Sequence, residues 1–459
     1  MLSFIKQAKR PIRSNANQLA IMGFLGLILL GTLLLMLPVA ARGEDLSFID
    51  ALFTSTSAVC VTGLTVVDTG THFTLFGQIV ILFLIQLGGL GIMILTTSIL
   101  FMLGKRLSIA LSDGISGSFL PARHMSLGGM IKITLAWTFL IELAAALVLF
   151  ARWMGDFPPG MAAWLAVFHA VSAFCNAGFS LFPDSLVRYA GDPLVTGVIM
   201  ALIISGGIGF FVMIDVWGAF KGRFQPGRMV SLHTRLVLTM TIFLIVFGAL
   251  AFWGIEHNHN LKDLSPFQEA LRALFQSVTA RTAGFNTMEI PELANASLFL
   301  LIMLMFIGGA PGSTAGGIKV TAACVVVIAV IARLRGMQKA SWAGRSLSRG
   351  DLERALVLIL LSGALVGLIT MLLLITELGG IAHTHSRGLF LELVFECVSA
   401  FGTVGLTTGV TPGLTTTGRL LIIFAMFVGR LGPFTLVYAM ESRKTPVRMQ
   451  YPEEKIMIG

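Results

Sequence analysis

The chain has 459 residues, of which 56% are hydrophobic and 12% are charged. Soluble proteins carry about 25% charged residues, so this composition excludes an ordinary soluble globular protein and favours an integral membrane protein. The net charge of +9 would suggest nucleic-acid binding in a soluble protein. Here the basic residues are concentrated in alternate connections between apolar runs, which indicates membrane topology instead. We therefore expect no nucleic-acid partner.

Long apolar runs recur along the whole chain. Each is long enough to cross a hydrocarbon core of about 30 Å as a helix. We predict eight spanning helices, with a shorter and more polar segment between the two members of each successive pair. The apolar runs cover residues 18–41, 73–103, 127–153, 193–219, 232–256, 295–335, 352–378 and 415–441.

Basic residues collect in the connections that follow every second helix and at the N-terminus. Cytoplasmic loops of membrane proteins carry an excess of Lys and Arg, so we expect these connections and both termini to be cytoplasmic. The residues are Lys6, Lys9, Arg10, Arg13, Lys105, Arg106, Arg123, Lys221, Arg223, Arg228, Arg333, Arg335, Lys339, Arg345, Arg349, Arg443, Lys444 and Arg448.

The four short segments share one pattern: Ser or Thr, then Ala, a few residues, and Gly followed by Leu or Phe. They are Thr56–Leu64, Val171–Phe179, Val278–Phe285 and Val398–Leu406. Their glycines are 115, 106 and 121 residues apart. Small residues also serve helix packing in membranes, but four matches in four equivalent segments make that explanation alone insufficient. The pattern indicates a repeated unit of helix, re-entrant loop and helix.

This arrangement suits a monovalent cation. Rings of backbone carbonyls can replace the hydration shell of K⁺, and non-helical backbone at membrane depth is tolerated where it is buried or lines a water-filled cavity. Glycine permits φ values that aim successive carbonyls in one direction. The C-terminal end of each preceding helix carries a partial negative charge, which favours a cation there.

The four loops, the eight-helix plan and the segment Gly308–Lys319 resemble the membrane subunit of the Ktr/Trk/HKT potassium transporter superfamily. The Ktr type is the most similar, because no extra helix pair precedes the first repeat. The resemblance implies an all-α integral membrane protein with four tandem helix–pore loop–helix repeats in a pseudo-four-fold arrangement around one pore. It also implies K⁺ at filter carbonyls and, since every loop has its glycine, a preference for K⁺. The implied filter residues are Val61, Thr62, Gly63, Asn176, Ala177, Gly178, Thr282, Ala283, Gly284, Thr403, Val404 and Gly405.

On this plan the chain divides into six segments. Residues 1–16 form a basic cytoplasmic N-terminus, and residues 443–459 form a cytoplasmic tail. Between them lie repeat A (17–110), repeat B (111–222), repeat C (223–340, with a broken second helix) and repeat D (341–442).

Two features lie within predicted spanning helices and are implied by the family to form a gate. The first is a Gly- and Pro-rich interruption of the sixth apolar run, which could instead be a packing kink. The second is an arginine midway along the eighth run, which could instead form a structural internal ion pair. The gate residues are Gly308, Gly309, Ala310, Pro311, Gly312, Ser313, Thr314, Ala315, Gly316, Gly317, Lys319 and Arg430.

The function implied is K⁺ uptake in the cell inner (plasma) membrane, stimulated by Na⁺. The family also implies a homodimer that sits on a ring of cytosolic regulatory subunits binding ATP or ADP, and no organic cofactor in this chain. An ion-coupled secondary symporter of K⁺ or Na⁺ is the alternative. Symporters often contain inverted repeats, whereas all four repeats here start from the same side. We do not expect the protein to be an enzyme, because the sequence shows neither a nucleophile–base–orienter set nor a metal cluster at membrane depth.

Overall fold

The computed structural model describes residues 16–43, 46–91, 127–220 and 230–432. Four predicted features lie outside this part: residues 1–15 of the basic segment at 1–16, the tail at 443–459, and the basic residues between positions 92 and 126 and between 221 and 229.

The described chain is almost entirely helical, with one short β-hairpin (β1, Ser341–Trp342; β2, Arg345–Ser346). The helices are α1 (Ala16–Leu35), α2 (Phe48–Val59), α3 (Thr69–His72), α4 (Leu75–Gly91), α5 (Leu127–Trp153), α6 (Pro159–Phe174), α7 (Pro193–Ile208), α8 (Phe210–Phe220), α9 (Leu232–Glu256), α10 (Pro266–Thr279), α11 (Asn295–Phe306), α12 (Val320–Leu334), α13 (Arg349–Leu378), α14 (Leu389–Gly402) and α15 (Thr416–Leu431).

Three described helices are individually long and apolar enough to cross a membrane: Ile131–Trp153, Leu232–Glu256 and Arg349–Leu378. These helices expose large apolar side chains; Leu140, for example, is 59% exposed and Leu360 is 71% exposed. Such a surface is unfavourable in water and suited to lipid. The helices are therefore suited to crossing a membrane.

One predicted spanning helix is not a single helix. Residues 193–219 form α7 and α8, which are bent by 100° at a break. Gly209 lies at the break with φ of +82°, a backbone conformation that residues with a Cβ rarely adopt. The sequence prediction of one continuous helix was wrong here, because the hydropathy of an apolar run does not locate a bend within it. The run 295–335 is also interrupted, between α11 and α12.

Four short helices, α2, α6, α10 and α14, occupy the predicted re-entrant segments. Their starts carry ordinary helix signals: Ser47 caps α2, and Ser265 forms a capping box with Gln268 at α10. Each short helix packs against the long helix before it, and each ends at the hydroxyl–Ala motif. The loops of interest therefore begin at the helix C-termini.

The helix after each loop packs on the short helix of the next predicted repeat. Thus α7 contacts α10, α11 contacts α14, and α15 contacts α2. Between α4 and α6, Trp164 donates a hydrogen bond to Gln78 (2.8 Å). An ion pair between Arg419 on α15 and Asp50 on α2 joins the two ends of the series. The first and last segments are thereby neighbours.

Candidate functional site

All four loops have the same unusual backbone. Two residues before each loop glycine, φ is positive: Val61 (56°), Asn176 (59°), Thr282 (73°) and Thr403 (50°). The glycines follow with φ of 93° at Gly63, 69° at Gly178, 81° at Gly284 and 93° at Gly405. A positive φ is a genuine outlier for β-branched residues, and such strain persists only where the surroundings hold it. An alternation of positive and negative φ allows consecutive carbonyl groups to turn to one side of a chain.

The shared hydroxyl of the motif ties each short helix to its own loop. Ser57 and Ser399 accept hydrogen bonds from the backbone N–H groups of the loop glycines, at 3.0 and 3.1 Å. Ser172 and Thr279 instead donate to the carbonyl oxygen of the residue after the glycine, at 2.7 and 2.5 Å. The recurring Ser or Thr therefore has a physical role: it satisfies a backbone group in a buried, non-helical turn.

The four glycines approach one another in a closed order. At each, a Cβ would lie within 3 Å of the carbonyl oxygen of the residue that precedes the next loop's glycine. The pairs are Gly63 with Ala177, Gly178 with Ala283, Gly284 with Val404 and Gly405 with Thr62. Neighbouring glycine Cα atoms lie beside the same positions. A side chain at any of the four would displace backbone of the adjacent loop, so the close approach itself requires glycine.

We call the four loops in this closed order the ring. The loop residues that end at the four glycines carry oxygen atoms and no acidic side chain. The hydroxyl oxygens of Thr62, Thr282 and Thr403 are buried and lack a hydrogen-bond partner within the described chain. No group of three His, Cys, Asp or Glu among the described residues could hold a metal ion. The four short helices also direct the partly negative ends of their dipoles at the loops. Neutral oxygen atoms and helix-dipole ends are the groups that bind a monovalent cation weakly.

Residues 308–319 form a buried loop between α11 and α12. Backbone hydrogen bonds close its neck: Gly308 N–H donates to Ile318 (2.8 Å) and Val320 N–H donates to Gly309 (3.0 Å). At the far side, a Cβ on Gly316 would overlap the side chain of Thr403. The predicted gate segment therefore lies directly against the fourth glycine-marked loop.

This loop is also bound to the bend between α7 and α8. Ala310 N–H donates to Gly207 (2.9 Å), and Thr314 N–H donates to Gly206 (3.2 Å). In the other direction, Phe210 N–H donates to Gly312 (3.2 Å). The bend frees carbonyls at the end of α7 and an N–H at the start of α8, and the loop satisfies them.

Arg430 is 3% exposed, and its guanidinium bridges two elements. It donates to the carbonyl oxygen of Thr314 in the loop and to that of Gly88 on α4 (2.9 Å for the latter). Lys319 donates to Ala315 within the loop (2.6 Å). Among the described residues Arg430 therefore binds carbonyl oxygens, and no ion pair of Arg430 is found there.

A second set of glycines was missed from the sequence. Gly88, Gly206 and Gly429 lie in the helices after the loops, and a Cβ on each would overlap the carbonyl oxygen of Val59, Phe174 or Phe401, respectively. Those carbonyls belong to the last turns of the short helices. The signal was present as a repeated pair after each loop: Gly88-Gly89, Gly206-Gly207, Gly308-Gly309 and Gly429-Arg430. Arg430 therefore stands where the other three segments have a second glycine.

Comparisons with known proteins found relatives both by sequence and by structure. A family model described as "TrkH: Cation transport protein" matches residues 2–445. Ktr system potassium uptake protein B of Bacillus subtilis is 40% identical over 98% of this chain and 98% of its own length. Potassium/sodium uptake protein NtpJ of Enterococcus hirae is 38% identical over 98% and 99%. The crystal structure of the potassium transporter TrkH from Vibrio parahaemolyticus matches with a TM-score of 0.74 at 20% identity, over 95% of this chain and 86% of that one.

Proposed function

The chain belongs to the TrkH family of cation transport proteins, and on that premise we propose that it takes up K⁺ through a pore lined by its four glycine-marked loops. The observation that carries the proposal is the closed order of contacts between Gly63, Gly178, Gly284 and Gly405. Four loops with the same backbone alternation would together present stacked rings of carbonyl oxygens. Such rings replace the water shell of K⁺.

The preference for K⁺ rests on two arguments. Relatives at 38–40% identity over nearly the full length are named for potassium uptake. All four loops retain glycine, and the approach of each to the next leaves no room for a side chain. The filter residues are the three that end at each glycine, and the chain divides into four tandem repeats with the boundaries given above.

Control of the pore is assigned to the loop at 308–319 and to Arg430. The loop lies against Thr403, and Arg430 holds it to α4. In this arrangement the loop and one buried positive charge stand next to the filter. Movement of the loop away from Arg430 would open the path.

We assign the partners by family resemblance. The chain acts as a homodimer in the cell inner membrane, with both termini in the cytoplasm, on a ring of regulatory subunits that bind ATP or ADP. Na⁺ acts as an activator, and the name of the relative NtpJ, a potassium/sodium uptake protein, supports a role for that ion. The reaction is transport, so no catalytic residue is assigned.

The test is growth at limiting K⁺ of cells that lack their own uptake systems and express the chain with its regulatory partner. The unchanged chain should restore growth. Gly63→Ser and Gly405→Ser should reduce rescue, because each adds a side chain where the next loop's backbone lies. Gly160→Ala is the control, since nothing lies within 4 Å of a Cβ at that glycine.

Absence of K⁺-dependent rescue by a well-expressed unchanged chain would refute the proposal. Measurements of K⁺ flux with purified protein in liposomes distinguish a pore from a symporter. A K⁺ gradient alone should drive K⁺ flux through a pore. Flux that also requires an inward gradient of a second ion would favour the symporter instead.

A further inference from the structure

Each short helix carries a buried polar side chain three residues before its motif hydroxyl. Thr54 is 1% exposed, and His169, Gln276 and Glu396 are 0% exposed. Buried polar groups usually have hydrogen-bond partners, so we expect a partner for each of these four side chains.

In two of the loops the explanation is the same hydrogen bond. His169 Nε2 lies 3.0 Å from Ser180 Oγ, and Glu396 Oε1 accepts from Thr407 Oγ1 at 3.2 Å. Ser180 and Thr407 are both two residues after the loop glycine. His169 Nδ1 lies 2.8 Å from the carbonyl oxygen of Leu165, so Nδ1 carries the proton and Nε2 is the acceptor. Imidazole and carboxylate thus act alike, since each accepts a hydrogen bond from a loop hydroxyl.

The hydroxyl in turn holds the backbone beyond it. Ser180 Oγ accepts from Phe182 N–H at 3.0 Å, and Thr407 Oγ1 accepts from Gly409 N–H at 2.9 Å. Both bonds span two residues. The short helix, the hydroxyl and the outward turn are therefore linked in one chain of hydrogen bonds in each of these loops. Glu396 also accepts from Thr411 Oγ1.

The other two loops lack this link. Thr54 Oγ1 and both polar atoms of Gln276 have no hydrogen-bond partner within the described chain. In the order of glycine contacts, the loop of Gly178 neighbours those of Gly63 and Gly284, and the loop of Gly405 neighbours the same two. The two linked loops therefore stand opposite each other in the ring.

We propose that His169 and Glu396 are positioning residues that fix two opposite quarters of the K⁺ filter through Ser180 and Thr407, and thereby set the selectivity between K⁺ and Na⁺. The proposal rests on the proposed function. Ions of different radius are distinguished by how firmly carbonyl oxygens are held at one spacing, or by the field they present. A loop released from its short helix could close around the smaller ion, which would admit Na⁺.

The experiment measures K⁺ flux and Na⁺ flux separately in liposomes that contain the purified chain together with its regulatory partner. Glu396→Leu removes the acceptor, and Thr407→Val removes the donor while the carboxylate remains. We expect each to lower the K⁺/Na⁺ flux ratio by about tenfold, and the double variant to be no worse than Glu396→Leu alone, because that substitution already removes the bonds to both Thr407 and Thr411. Glu396→Gln keeps an acceptor oxygen and should retain most of the selectivity.

The matched control is Glu392→Leu, which removes a carboxylate from the same helix four residues earlier. Its flux ratio should equal that of the unchanged chain. If Glu396→Leu does not fold, Thr407→Val decides, since its side chain keeps the same shape and is only partly buried. A K⁺/Na⁺ ratio that stays unchanged in Thr407→Val would overturn the proposal while leaving K⁺ uptake intact. An unchanged chain with no K⁺ preference would instead overturn the proposed function, and this inference with it.

Discussion

Substitutions of Arg430 can show whether this residue controls the pore by holding the loop at 308–319 in place or by its positive charge. Its guanidinium donates to Thr314 in the buried loop and to Gly88 on α4 at the same time. Lysine keeps the positive charge but lacks the planar fork, so Arg430→Lys cannot hold both carbonyls in the same geometry. Arg430→Gln removes the charge and keeps a shorter amide donor.

The expected magnitude follows from the hydrogen bonds. A bond from a charged donor contributes roughly 1.5–3 kcal/mol, and loss of one removes that amount from the state in which the loop is bound. At 1.4 kcal/mol per factor of ten, the ratio of released to bound loop should rise roughly 10- to 150-fold. If the loop closes the path by being tethered, Arg430→Lys and Arg430→Gln should both raise basal K⁺ flux.

The assay is K⁺ efflux from liposomes that contain purified chain without a regulatory partner. Deletion of residues 312–317 supplies the reference for a released loop. Arg419→Lys is the matched control, since Arg419 lies on the same helix but binds Asp50 and Pro412. Basal flux in Arg430→Lys equal to that of the unchanged chain, with a rise only in Arg430→Gln, would refute the tether and leave the charge as the barrier.

Two further substitutions test the packing around the loops. Gly209→Ala should destabilise the bend between α7 and α8 by about 1–3 kcal/mol, because φ there is +82°. It should also raise basal K⁺ flux, since the loop at 308–319 is bound to that bend. Gly197→Ala should do neither, because nothing lies close to a Cβ at that glycine. Gly429→Ala should lower the thermal unfolding temperature in detergent, since its Cβ would overlap the carbonyl of Phe401, at a cost of about 1–3 kcal/mol. Gly367→Ala, also in open space, should leave that temperature the same or raise it. A stable Gly429→Ala would contradict the close helix approach.

The recurrence of glycine-marked loops was readable from the sequence. The hydroxyl–Ala motif and its glycine depend on local backbone requirements, namely a short helix that must end and a turn that needs positive φ. Local requirements leave a local pattern, which is why Gly63, Gly178, Gly284 and Gly405 could be singled out. The Gly- and Pro-rich break near residue 310 was found for the same reason.

The contacts between distant segments could be decided only by the tertiary structure. The bend at Gly209 exists because the loop at 308–319 satisfies the backbone groups it frees, and nothing in the apolar run around Gly209 records that partner. Arg430 binds carbonyls of two elements far away in the chain, so sequence reasoning left an ion pair open. Likewise, His169 and Glu396 share a role that their different side chains conceal, since a hydrogen-bond acceptor is defined by where its donor lies.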